Sequence, residues 1–126
     1  MVEILLRARC YPTEDRQRIV KAMTSLFPDV NVTGTEELEG ISRSTDAFAE
    51  QLVRQRIRDA ARAVLRRGVS GNKTVFSLNK QVATVGKISF AEEEHALGDI
   101  RVEISAEDIG ALIDKIAPST RRVDGR

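Results

Sequence analysis

From Val2 to Cys10 the apolar residues keep to alternate positions. Val2, Ile4, Leu6, Ala8 and Cys10 share one parity, and Glu3, Leu5, Arg7 and Arg9 share the other. A period of two marks a strand with one buried face, and this one is long enough for a central place in a sheet. Pro12-Thr13 stops it, and the period changes. Ile19, Val20, Met23, Leu26 and Phe27 recur at helical spacing up to Pro28. Thr13 is expected to cap this helix, with Glu14 and Asp15 in its first turn favourable against the helix dipole. Val30 to Thr35 is rich in β-branched residues, and Leu38 to Ser44 reads as its antiparallel partner across a short connection at Glu36-Glu37.

The longest helical pattern runs from Asp46 to Gly68, with Ser44, Thr45 or Asp46 as its cap. Ala49, Val53, Ile57, Ala60 and Val64 are expected on its buried face, and Gly68 at a left-handed C′ position. After the loop Val69-Ser70-Gly71-Asn72, residues Lys73 to Leu78 read as a strand. Asn79 to Gly86 has two readings: a short helix capped by Asn79 and closed by Gly86, or the turn and return strand of a hairpin around Asn79-Lys80. The helix is preferred, because Phe76 and Leu78 already exhaust a short strand. Lys87 to Phe90 and Asp99 to Ser105 alternate again, joined by the acidic loop Ala91 to Gly98. Ser105 is expected to cap a last helix carrying Glu107 and Asp108 in its first turn. Ile109, Leu112, Ile113 and Ile116 form its stripe, and Pro118 ends it.

The order β-α-β-β-α-β-(α)-β-β-α implies an α+β fold: a mostly antiparallel sheet with helices packed on one face and a split β-α-β core. At 126 residues, 41% hydrophobic and 31% charged, the chain suits one packed domain, expected over 1–118, with 119–126 as a mobile basic tail. No apolar run approaches a bilayer span, and the N-terminal residues lack a signal-peptide layout. Cys10 is the one cysteine, so no internal disulfide can form. A cytoplasmic protein without membrane attachment is the expectation.

Net charge is +1, so bulk charge does not announce a nucleic-acid partner; its distribution along the chain says more. Arg54, Arg58, Arg62 and Arg66 recur every four residues, which would stack them along one ridge of a continuous helix. No acid occurs from Ala60 to Ala91, where Lys73, Lys80 and Lys87 extend the basic run, whereas Glu92 to Asp114 is strongly acidic. Guanidinium groups suit phosphate because they are always charged and present a planar fork of donors. The alternative is a solvated helix face, with Asp59 pairing Arg62. On the first strand Arg7 and Arg9, and on the strand after Gly98 Arg101, point away from the core side. With no aromatic residues at the strand centres, a solvated face pairing these arginines with Glu3 and Glu103 is favoured there.

Other chemistries find little support. The loop Gly68 to Lys73 lacks P-loop order, since Lys73-Thr74 open a strand rather than a helix. One histidine (His95) and one cysteine cannot supply a zinc set. Glu92-Glu93-Glu94 are adjacent acids in a loop. No catalytic residue, metal or cofactor is expected, and the chain reads as no enzyme.

The run FSLNKQVATVGKISF (Phe76 to Phe90), the segment HALGDIRVEI (His95 to Ile104) and the opening RARCYPTED (Arg7 to Asp15) together resemble archaeal uncharacterised protein family 0201. This resemblance implies a fold similar to the large-subunit ribosomal protein that contacts 5S ribosomal RNA, and an RNA-binding role by analogy of fold. Asn79, Lys80 and Gln81 match the family's run, either as ligand contacts or as residues that cap and turn the backbone. Two functions are therefore carried forward. One is an RNA-binding module gripping the phosphate backbone of structured RNA through Arg54, Arg58, Arg62, Arg66, Lys73, Lys80 and Lys87. The other is a homo-oligomeric or partner-binding scaffold, such as a homodimer, in which the basic middle of one chain meets the acidic segment of another.

Overall fold

A computed structural model describes residues 2–91 and 98–119. The centre of the expected acidic loop and the expected tail beyond Ser119 lie outside the described residues. Strands β1 (Glu3–Arg9), β2 (Glu37–Ser42), β3 (Val69–Ser70), β4 (Lys73–Asn79) and β5 (Asp99–Ser105) form one antiparallel sheet in the order β2-β1-β5-β4-β3. β1 and β4 thus run parallel with β5 inserted between them, the split arrangement that the element order implied. Helices α1 (Arg16–Leu26), α2 (Asp46–Arg54), α3 (Arg58–Arg67), α4 (Lys80–Ala83) and α5 (Ile109–Ile116) complete the fold.

Strand alternation sets which face the helices cover. Ile4, Leu6 and Ala8 of β1, Leu38 of β2, Phe76 and Leu78 of β4, and Ile100, Val102 and Ile104 of β5 are buried. The opposite parity stays at least partly open, so this is a two-layer fold with one bare sheet face. Phe27, Phe48, Phe76 and Phe90 stack through the core, with neighbouring centroids 5.5–5.8 Å apart. Every phenylalanine is therefore spent on packing.

Several boundaries move for local reasons. Asp15 rather than Thr13 caps α1, its carboxylate accepting from the Gln17 N–H, and Asp108 rather than Ser105 caps α5. Val30 to Thr35 pairs with β2 only in a single bridge, Thr33 to Glu39, and Lys87 to Phe90 pairs with β4 only in a single bridge, Phe90 to Leu78. The loop before β4 contains a strand, β3, joined to β4 by the two-residue turn Gly71-Asn72. Gly71 adopts φ 62°, a conformation that suits the first central position of a tight hairpin turn. Asn79 caps α4 and Gly86 (φ 80°) follows it, as the helical reading anticipated.

The largest departure is in the long helix. It breaks into α2 and α3 at Arg56, which adopts φ 59°. There the Ile57 N–H reaches back five residues to the Leu52 carbonyl at 3.0 Å. The buried stripe is Phe48 and Leu52 in α2, then Ala61 and Leu65 in α3. Val53, expected inside, is 52% exposed. An unbroken helix carrying Phe48 and Leu52 inward would bring Arg56 inward next. The break inserts one residue, turns Arg56 outward, and lets Ile57, Ala61 and Leu65 continue the apolar face. A side chain in the left-handed region costs about 1–2 kcal/mol. Arg56→Gly should therefore raise stability by roughly 0.5–1 kcal/mol after the glycine's extra unfolded-state entropy is deducted. The midpoint of urea unfolding measures this, and a lowered midpoint would refute the strain at Arg56.

Candidate functional site

The break redistributes the arginine ladder. Arg54 closes α2 and Arg58 opens α3, with Arg56 between them on the same outward bend. Arg54, Arg56 and Arg66 are exposed and Arg58 is half-buried. Arg66 lies about 12 Å farther along α3. Arg62 points elsewhere: its guanidinium is 2.7 Å from Asp114 of α5 and donates to the Ala117 carbonyl at 3.2 Å. It fastens α3 to the last helix.

Lys87 joins the corner through the amides of α2. The Gln51 side chain donates to the Gly86 carbonyl, and Gln55 both donates to the Ile88 carbonyl and accepts from the Ile88 N–H. These bonds hold the segment 86–88 along the end of α2, with Lys87 between the two anchors and exposed. Arg54, Arg56 and Arg58 thus flank the break between α2 and α3, and Lys87 sits on a segment bonded to the end of α2. Arg56 is missing from the ridge read along the sequence, because a straight helix turns it away from Arg54 and Arg58.

The other two lysines are elsewhere. Lys73 lies on the bare sheet face, 3.7 Å from Glu103. Lys80 is fully buried, which removes it from any surface patch. Its ammonium donates to the Arg9 carbonyl at 2.6 Å and to Glu14 at 2.9 Å, and sits 5.2 Å from the centre of the Tyr11 ring. Glu14 also accepts from the Tyr11 N–H and from the Gln81 amide, both at 3.0 Å. Burial alone would raise the Glu14 pKa. The Tyr11 N–H, the Lys80 ammonium and the Gln81 amide outweigh it and hold the carboxyl below its ordinary value. In the Asn79-Lys80-Gln81 run, one residue caps α4 and the other two bind it to the entry of α1, which is the backbone-organising role.

The bare sheet face carries Arg7, Arg9 and Arg101. Arg7 pairs with Glu39 at 3.1 Å rather than with Glu3, and Glu103 is taken by Lys73. Arg9 lies over the Tyr11 ring at 5.5 Å. Among the described residues, no group of three or more His, Cys, Asp or Glu is placed to hold a metal ion. No described helix is long and apolar enough to cross a membrane.

Comparison with known proteins adds to this picture. A family model described as RNA binding matches residues 3–106. A UPF0200/UPF0201 protein of Archaeoglobus fulgidus is 40% identical over 99% of this chain, and the chain spans only 39% of that relative's length. A UPF0201 protein of Methanocaldococcus jannaschii is 40% identical over 95% of this chain and 75% of its own. Among solved structures, a UPF0201 protein from Methanococcus jannaschii superposes with a TM-score of 0.88 at 39% identity, covering 94% of this chain and 95% of that one. A DUF54 protein from Methanothermobacter thermautotrophicus, 18% identical, gives a TM-score of 0.65 over 91% of this chain and 96% of its own, a likeness of fold alone.

Proposed function

Because the chain belongs to the archaeal UPF0201 family, we propose that it is an RNA-binding protein that holds the phosphate backbone by charge at the bend between α2 and α3. The observation that carries this reading is the match of an RNA-binding family model to residues 3–106, and the cations flanking the bend support it. Arg54, Arg56, Arg58 and Lys87 supply cations there, with Arg66 farther along α3. The packing of all four phenylalanines into or against the core argues for contact with backbone and shape over stacking on bases. Such binding requires no catalytic residue and no cofactor.

The test is affinity for a labelled RNA hairpin over a range of salt concentrations. Arg54→Glu/Arg58→Glu should weaken binding roughly tenfold or more and reduce the slope of log affinity against log salt by about two, one for each lost phosphate contact. Arg62 is the wrong residue for this test, since reversing its charge would also break its bonds to Asp114 and Ala117. Unchanged hairpin affinity in a folded Arg54→Glu/Arg58→Glu variant would rule the bend out.

A further inference from the structure

Across the middle of the bare sheet face, Arg7 of β1 stands directly opposite Arg101 of β5. Like charges in that relation destabilise a sheet, and the neighbouring acids only partly relieve it. Arg7 is balanced from the other side by Glu39, and Glu103 is engaged by Lys73. Arg101 is exposed and faces Ser77 of β4 on its far side. Arg9 lies two residues along β1 on the same face. Among the described residues neither Arg9 nor Arg101 has an ion-pair partner. Strand geometry puts Arg7 and Arg9 about 6.7 Å apart and Arg7 and Arg101 about 5 Å apart. Glu3 and Asp99 stand at strand ends, and Glu37 stands directly opposite Arg9 at the end of β1, so the cationic ground centres on Arg7 and Arg101 with Arg9 at its margin.

The next row across the sheet is largely apolar. Leu5 stands opposite Ile41 on one side and Glu103 on the other, and Glu103 in turn faces Val75. Ile41 is 50% exposed at the sheet edge. A cationic row beside an aliphatic row matches a ligand with one charged and one apolar edge. Single-stranded nucleic acid has such edges in its phosphates and its unpaired bases, whereas a duplex offers a protein mostly phosphate and sugar. A second copy of the chain would cover a face that carries Glu37, Glu39 and Glu103 as well as these arginines, and every ion buried there would need a partner to offset its desolvation.

We infer that this face is a second binding site, taking single-stranded RNA with its phosphates over Arg101, Arg7 and Arg9 and its bases toward Leu5, Ile41 and Val75. The inference rests on the RNA-binding reading but uses the layer opposite the α2–α3 bend, so the two can fail separately. The probe is a fluorescein-labelled oligouridylate followed by anisotropy at low salt. Arg9→Glu/Arg101→Glu should weaken its binding roughly tenfold or more and reduce the salt slope by roughly 1.4, about 0.7 for each cation on a single strand. In the unaltered protein, amide resonances of Arg7, Arg9, Ser77 and Arg101 should shift as oligouridylate is added, a measurement that does not depend on how the variant folds. Equal oligouridylate affinity in a folded variant, or shifts confined to Arg54–Arg58 and Lys87, would overturn the sheet site and leave the RNA reading standing. Absence of any RNA binding by the unaltered protein would overturn both. If Arg9→Glu/Arg101→Glu turned a dimer into a monomer in sedimentation while RNA binding stayed unchanged, the face would belong to a second copy and the inference would fall.

Discussion

Replacing Lys80 by alanine is expected to lower the unfolding free energy by about 3–5 kcal/mol, the range for breaking a buried ion pair from one side. The ammonium is fully buried and Glu14 nearly so. Removing the cation strands a carboxylate whose other partners, the Tyr11 N–H and the Gln81 amide, are neutral. It also frees the Arg9 carbonyl at the end of β1. The pair spans residues 66 apart, so it ties the β4–α4 junction to the entry of α1. Much of the loss is the cost of an unpaired charge rather than the worth of the pair. Lys80→Met/Glu14→Leu should accordingly recover most of the stability that Lys80→Met alone loses. Urea unfolding of the three proteins decides this. A loss below about 1 kcal/mol for Lys80→Ala would mean that water reaches the site and that the pair behaves like an exposed one.

The same site carries a pH dependence of definite sign. Because the folded protein holds Glu14 below its ordinary pKa, Glu14 contributes stability in full above the ordinary carboxylate range. That contribution is lost as the pH falls through its lowered folded value. Lys80→Met/Glu14→Leu should show a flatter decline of stability in acid than the unaltered protein.

Gly68→Ala should cost about 1–3 kcal/mol or more, for a reason separate from backbone freedom. Gly68 has φ −85°, an ordinary value for any residue, in place of the left-handed conformation expected at the end of the helix. Its restriction is proximity. A Cβ built there would lie 2.1 Å from the Val75 carbonyl oxygen. Gly68 is also bonded to Val75, accepting from its N–H at 3.1 Å, so α3 and β4 touch backbone to backbone. Any side chain must push them apart and stretch that bond. The proper control is Gly71→Ala, where a Cβ meets open space and only the left-handed turn is disturbed. Should the Gly71 variant unfold at lower urea than the Gly68 variant, close packing at Gly68 would not be the governing restriction.

Strand alternation was legible because it is local: the parity of Val2 to Cys10 names the buried face of β1 without reference to any other segment. Helix interruption was not, since position 56 holds an arginine and not the glycine or asparagine that usually marks a left-handed residue. A signal was nonetheless present. Phe48 and Leu52 form one series at spacing four, Ile57, Ala61 and Leu65 form another, and the two miss each other by one residue. Lys80 was read as surface because lysines usually are. Yet Thr74, Phe76, Leu78 and Lys80 share the buried parity of β4, and that continuation pointed inward. Its partner Glu14 could not be read, because contacts between distant segments follow from the assembled fold. Arg62 failed for the same reason, with Asp114 and Ala117 supplied by another helix.

The residue inserted at Arg56 also sets the reach of the helical layer. A straight helix over residues 46–67 would measure about 33 Å. Five strands at the usual spacing make a sheet only about 19 Å wide, and a seven-residue strand is about 23 Å long. A single rod would overhang the sheet in either direction and leave part of its apolar side uncovered. Folding it into two lengths of about 14 and 15 Å brings both within the footprint. A deletion of Arg56 would align the apolar residues at an unbroken spacing of four and still fit this sheet poorly, because the rod would outrun its support.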